Sequence, residues 1–76
     1  MEQQSRPLDL LNQARNKRLI IELKNGKQFV GILKAFDIHI NIVLEEVEEL
    51  VDGTVKRKLG KVFLRGDMIL LISPSA

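Results

Sequence analysis

Few residues in this 76-residue chain are equipped for chemistry. The one histidine, His39, stands between Asp37 and Asn41 at alternate positions, and a second polar cluster, Arg65-Gly66-Asp67, follows later. Imidazole and guanidinium both present flat π-faces on which a nucleobase can stack. A carboxamide carries a donor and an acceptor at one end, which can match the Watson–Crick edge of an exposed base. Asp37 can hold the Asn41 amide in one orientation. Together these groups suit single-stranded RNA. Asp, His and Asn are also common turn formers at the start of a strand, and on residue type alone that plainer account is favoured.

Other chemistries have less to work with. The chain has no cysteine, which excludes disulfides and thiol chemistry. Zinc needs about four N or S ligands, and one histidine cannot supply them. Ser5, Ser73 and Ser75 all lie near the ends, and His39 has no nucleophile in an activating motif beside it. Paired-carboxylate and metal-ligand spacings are missing as well. The expectation is a protein that is not an enzyme and needs no cofactor. No apolar run approaches the ~20 residues of a membrane span, and there is no signal-peptide pattern, so a cytoplasmic protein without membrane contact is expected.

The elements that must position these groups follow from periodicity. Residues 6–15 place Leu8 with Leu11, and Leu10 with Ala14, at helical spacing. Pro7 suits the first turn and Asn16 a left-handed stop. From Leu19 the period becomes two. Asn25-Gly26 predicts a type I′ hairpin, and the returning strand runs from Lys27 to about Phe36 with Gly31 at its middle. A third strand is expected from Ile38, with Ile38, Ile40, Ile42 and Leu44 on one face, through to Val51. Asp52-Gly53 signals a second type I′ hairpin, and strand four runs from Thr54 to about Leu64 around Gly60. Arg65-Gly66-Asp67 is a tight turn. Met68–Ile72 forms the last strand, stopped by Ser73-Pro74.

The reading is therefore mainly β: a short helix, then five antiparallel strands whose central glycines let the sheet curl into a small, strongly bent barrel of SH3-like or OB-like kind. Phe29 and Phe63 are expected in its core. Residues 1–76 form a single domain, too small to be comfortably stable alone. The last strand is apolar on both faces and lacks the charges that blunt a free edge, so it is expected to pair with another copy and close a ring.

Charge is informative by position. Lys+Arg is 12 and Asp+Glu is 10, a net of only +2. Glu45, Glu46, Glu48, Glu49 and Asp52 form an acidic block, and Lys56, Arg57, Lys58, Lys61 and Arg65 a basic one. The basic run after the Asp52-Gly53 turn is read as balancing the acidic strand opposite. Arg6, Arg15 and Lys17 flank the helix as solvated surface, with contact to passing RNA as the alternative.

Residues 19–50, with Gly26, Gly31, Asp37-x-His39-x-Asn41 and an apolar end, resemble the first motif of the Sm and Sm-like (LSm) RNA-binding family. Residues 60–73, GKVFLRGDMILLIS, resemble its second motif, with Arg65-Gly66 before a closing apolar strand. Without basic or Gly/Arg-rich tails, the chain looks most like an archaeal member. The resemblance implies a helix-capped, five-stranded bent barrel and a homo-oligomeric ring, usually of seven copies, built by pairing strand four of one subunit with strand five of the next. It implies binding of single-stranded, uridine-rich RNA, as scaffold or chaperone in RNA processing and turnover. Uracil would stack between His39 and Arg65, Asn41 would hydrogen-bond its edge, Asp37 would brace Asn41, and the backbone at Gly66-Asp67 would complete the contact. The alternative is a protein-assembly module on an SH3-like barrel with incidental RNA binding. The lack of Tyr and Trp, with only three Phe, weighs against a peptide groove.

Overall fold

The helix ends early, and its stop is the asparagine. In the computed structural model, which describes residues 6–75, α1 spans Pro7–Gln13. Ser5, named above, lies outside the described residues. Pro7 opens the first turn, and the Asp9 carboxylate accepts from the Arg6 N–H at 3.4 Å. Asn16 takes the left-handed conformation (φ 68°), and its N–H donates to the Leu33 carbonyl at 2.7 Å. A seven-residue helix has little stability of its own. It is held because Leu11 and Ala14 pack on the core below, while Leu10 stays exposed.

The strands are β1 (Arg18–Leu23), β2 (Gln28–Phe36), β3 (Ile42–Val51), β4 (Thr54–Leu59), β5 (Val62–Leu64) and β6 (Ile69–Pro74). They form one antiparallel sheet in the order β4-β3-β2-β1-β6, with β5 continuing β4's place alongside β3. Alternation puts Leu19, Ile21 and Leu23 of β1, Phe29 and Leu33 of β2, and Ile42, Leu44 and Val47 of β3 on the concave face. Each such side chain contributes about 1.5–3 kcal/mol by leaving water. Leu59, Val62, Leu64, Ile69 and Ile72 close the sides of the core.

The bend comes from a missing side chain more than from a loose backbone. A Cβ on buried Gly31 would lie 2.9 Å from Val47 Cγ2 and 3.2 Å from both Leu44 Cβ and the Glu45 carbonyl oxygen. Opposite it the β2–β3 register slips between Val30 and Ile32, and Glu46 turns to φ 52°. The bulge folds β3 over β2, and Gly31 leaves the room for Val47 to cross. At Gly60 the fourth expected strand breaks into β4 and β5, both paired to β3.

Several expectations need correction. Asp52 and Gly53 both take positive φ, as a type I′ turn requires, but Asn25 does not; only Gly26 is left-handed there (φ 87°). Gly26 N–H bonds the Leu23 carbonyl and Leu23 N–H bonds the Lys27 carbonyl, which makes a three-residue loop rather than a two-residue turn. The third strand starts at Ile42, not Ile38. The last strand runs through Ser73 to Pro74, opposite Leu19. Proline is tolerated there because it closes an edge strand. Phe63 is not core: it is 73% exposed, on the convex face.

At the far end of the sheet, Glu49 is only 3% exposed. It pairs across the ladder with Arg57, whose Nε donates to its carboxylate, and Lys27 Nζ lies 3.9 Å away. The Arg57 hydrogen bond, opposed by burial, holds the Glu49 carboxyl below its usual range. Lys61 lies 3.8 Å from Glu45 and Arg18 4.0 Å from Glu48. Cross-strand balancing thus holds for Arg57, and for Lys61 at the next acid.

The edges β4/β5 and β6 have no backbone pairing between them among the described residues. Phe63, Leu70 and Leu71 are exposed along these edges.

Gly31→Ala is expected to lower stability by about 1–3 kcal/mol through overpacking against Val47. Urea denaturation at fixed protein concentration measures it, and an unchanged midpoint would show that the bend does not depend on this vacancy.

Candidate nucleic-acid interface

Two loops meet at one end of the sheet. The first connects β2 to β3 through residues 37–41, and the second connects β5 to β6 through Arg65 and a 3₁₀ turn at Gly66–Met68. The first is where the sequence pattern misleads. Ile38 and Ile40 fit the strand alternation that Ile42 and Leu44 obey, yet Ile38 is 74% exposed and Ile40 takes φ 61°. A left-handed β-branched residue costs of order 1–3 kcal/mol and persists only where its surroundings over-determine it.

Asp37 supplies that determination. Its Oδ1 accepts from the backbone N–H of His39 at 2.8 Å and of Asn41 at 3.2 Å, and its Oδ2 accepts from Asn41 Nδ2 at 3.1 Å. The Asp37 N–H donates to the Asn41 carbonyl at 3.1 Å, and the Ile40 N–H donates to the Asp37 carbonyl at 3.0 Å. Four of these five bonds use the backbone of the loop itself, so the short polar residues are turn formers here. Asn41 does more. Its Oδ1 accepts from the Gly66 N–H at 2.8 Å, which joins the two loops.

This geometry fixes the carboxamide without ambiguity. An amide N–H can only donate, so the group facing Gly66 is the oxygen. A carboxylate only accepts, so the group facing Asp37 is the nitrogen. Two of the four hydrogen-bonding positions of the Asn41 side chain are used in this brace. Gly66 is required for it: a Cβ there would stand 2.0 Å from the His39 carbonyl oxygen and 2.9 Å from the Ile40 carbonyl group.

The other site residues are more open. The Arg65 side chain is 81% exposed and lies 3.2 Å from Asp67 Oδ2, an exposed pair of small energetic value. A shallow groove of about 280 Å³ runs beside the braced loops, lined by Phe36, Asp37, Asn41, Val43, Phe63 and Arg65 among others. His39 is exposed and its side chain is not in that lining. The structure therefore brings together Asp37, Asn41 and Gly66, sets Arg65 and Asp67 beside them, and leaves the His39 ring outside the groove. Phe63 is the groove residue that the sequence pattern assigned to the core. Its alternation with Val62 and Leu64 was the available signal for an outward-facing side chain.

Two expectations follow. Gly66→Ala forces the loops apart, so the amide at position 66 loses its hydrogen-exchange protection and the denaturation midpoint falls; a protected amide would show that the loops can yield without parting. The Asn41 amide, then the His39 N–H, hold the Asp37 carboxyl below the usual carboxylate range. Because the folded value is the lower one, this stabilisation is complete above the ordinary aspartate pKa and is lost as pH falls through the depressed value. An NMR titration of the Asp37 side chain measures it, and an ordinary or raised midpoint would remove the brace.

Comparison with known proteins agrees with this architecture. The LSM domain family matches residues 9–74. An snRNP Sm-like protein of Methanococcoides burtonii is 49% identical over 70 residues, 92% of this chain and 97% of that one. The structure of a Pyrococcus abyssi Sm protein in complex with a uridine heptamer superposes with a TM-score of 0.90 at 42% identity, covering 93% of this chain and 100% of that chain. A P. aerophilum Sm protein heptamer gives 0.89 at 34% identity, covering 97% and 99%. On the match across nearly its whole length, this chain belongs to the LSM-domain family of Sm-like proteins.

Proposed function

We propose that this chain, acting over residues 1–76 as one Sm-like domain, binds single-stranded uridine-rich RNA without catalysing a reaction. It does so as a homo-oligomeric ring of seven copies, a cytoplasmic scaffold or chaperone in RNA processing and turnover. The observation that carries the reading is the Asp37–Asn41–Gly66 brace, which presents an orientation-locked carboxamide beside the exposed Arg65. A freely rotating carboxamide turns over to suit cytosine as well as uracil. One locked by Asp37 and Gly66 keeps one remaining N–H and one lone pair in fixed places, which suits the O4 and N3–H of uracil. His39 and Arg65 supply π-faces on either side, and the backbone at Gly66-Asp67 completes the contact.

The ring is supported by the two open edges. Pairing the β4/β5 edge of one copy with β6 of the next covers Leu70 and Leu71 and satisfies the free backbone groups. Repetition of one site around a ring then raises affinity for a continuous strand through effective concentration. The Pyrococcus abyssi protein solved with a uridine heptamer and the P. aerophilum heptamer support both parts of the reading.

At fixed salt, oligo-U is expected to bind about tenfold or more tightly than oligo-C or oligo-A, tenfold being the worth of roughly one hydrogen bond in all. Equal affinity for all three would remove the uracil pocket. The ring would then stand as a protein-assembly platform, a reading that would also predict no nucleic acid co-purifying with the protein.

A further inference from the structure

The most exposed aromatic side chain lies in the groove beside the braced loops. Within β5, Val62 and Leu64 turn towards the core while Phe63 points outward. Its cross-strand neighbour is Val43, and Val43 in turn faces Ala35. The row Ala35–Val43–Phe63 makes a small-sided apolar floor on the convex face, and all three residues line the groove that also contains Asp37, Asn41 and Arg65.

Resting on the uracil reading above, we infer that Phe63 is a second stacking platform of this groove, taking a nucleobase of the strand whose neighbouring base is read at Asn41. The groove, about 280 Å³, has room for a planar heterocycle and opens to solvent. Base stacking on an aromatic ring needs only an exposed π-face and tolerates any base. Of the two phenylalanines in the lining, Phe36 has one face occupied by the Arg15 guanidinium, 5.5 Å from the ring centroid. Phe63 is the free one. Arg65, two residues on, offers an exposed cation to the phosphate that links the two bases, because its pairing with Asp67 is a weak surface contact. The charge and the apolar floor thus stand side by side, as a phosphodiester and its base require. The other occupant with suitable chemistry is the apolar β6 edge of a second copy, and the experiment separates the two.

The chain contains no Trp and no Tyr, so Phe63→Trp places one indole emitter in each subunit of the assembled protein, all in equivalent positions. Its fluorescence is expected to be quenched by oligo-U in step with the anisotropy of a labelled oligo-U. A blue-shifted emission that saturating oligo-U does not move, while anisotropy shows the RNA bound, overturns the inference and assigns Phe63 to the contact between copies. Equal quenching by oligo-U, oligo-C and oligo-A at equal affinity upholds the platform and removes only the uracil reading at Asn41. Phe63→Leu keeps apolar bulk without an aromatic face. It is expected to weaken oligo-U binding about tenfold with an unchanged assembly by light scattering; undiminished affinity overturns the inference.

Discussion

One carboxamide holds two distant parts of the chain together. Asn41 reaches Asp37 with its nitrogen and the backbone of Gly66 with its oxygen, and every other feature of the candidate interface hangs on that bridge. The left-handed Ile40 is tolerated because Asp37 already commits the loop around it. Gly66 has no side chain because the His39 carbonyl occupies the space one would need. Arg65 starts from the residue next to the bridge, so its backbone position is set even though its side chain is free. Rigidity and exposure are thus divided between neighbours: the loop backbones are fixed, and the groups offered to a ligand lie outside them. Binding then costs little ordering of the protein.

The sheet is arranged to deliver this pair of loops to one end. The bulge at Glu46, facing Gly31, folds β3 across β2, and the break at Gly60 lets β5 follow the fold alongside β3. The curvature brings the end of β2, the start of β3 and the end of β5 together, although 23 residues separate Asn41 from Arg65. It leaves the cylinder unclosed. A sheet bent this far with β4/β5 on one edge and β6 on the other presents two unlike borders, the first carrying the basic run Lys56-Arg57-Lys58 and the second apolar. Unlike borders favour head-to-tail joining over a two-fold pair.

Much of this was legible in the residue pattern. Period-two alternation placed β1, β2 and most of β3, and Asn16, Gly31, Gly60 and Asp52-Gly53 marked a stop, a close approach, a bend and a turn, although at Gly60 the bend divides the expected strand into β4 and β5. The polar motif and Arg65-Gly66 marked the loops that do meet. What alternation could not show was local hydrogen bonding that outcompetes it. Ile38 and Ile40 fit a strand, but the Asp37 carboxylate takes the backbone donors of His39 and Asn41 and folds the segment into a turn. Phe63 was misplaced because a hydrophobic residue type outweighed its odd place in the alternation. Asn25-Gly26 chose a longer loop because Asn25 accepts the Lys27 N–H at 3.0 Å without turning left-handed. In the two loops a hydrogen bond of one side chain, invisible to periodicity, decided the outcome.

The buried Glu49 carries a consequence for how such a sequence can change over generations. Its carboxylate sits out of water between Arg57 and Lys27, each from a different part of the sheet margin. Removing Arg57 takes the hydrogen-bonded cation from a carboxylate in a dry place and leaves only Lys27, 3.9 Å away, whereas removing the acid leaves two cations that can still reach solvent. Drift at these positions is therefore directional: the acid must be lost first, and the bases are free to wander only afterwards.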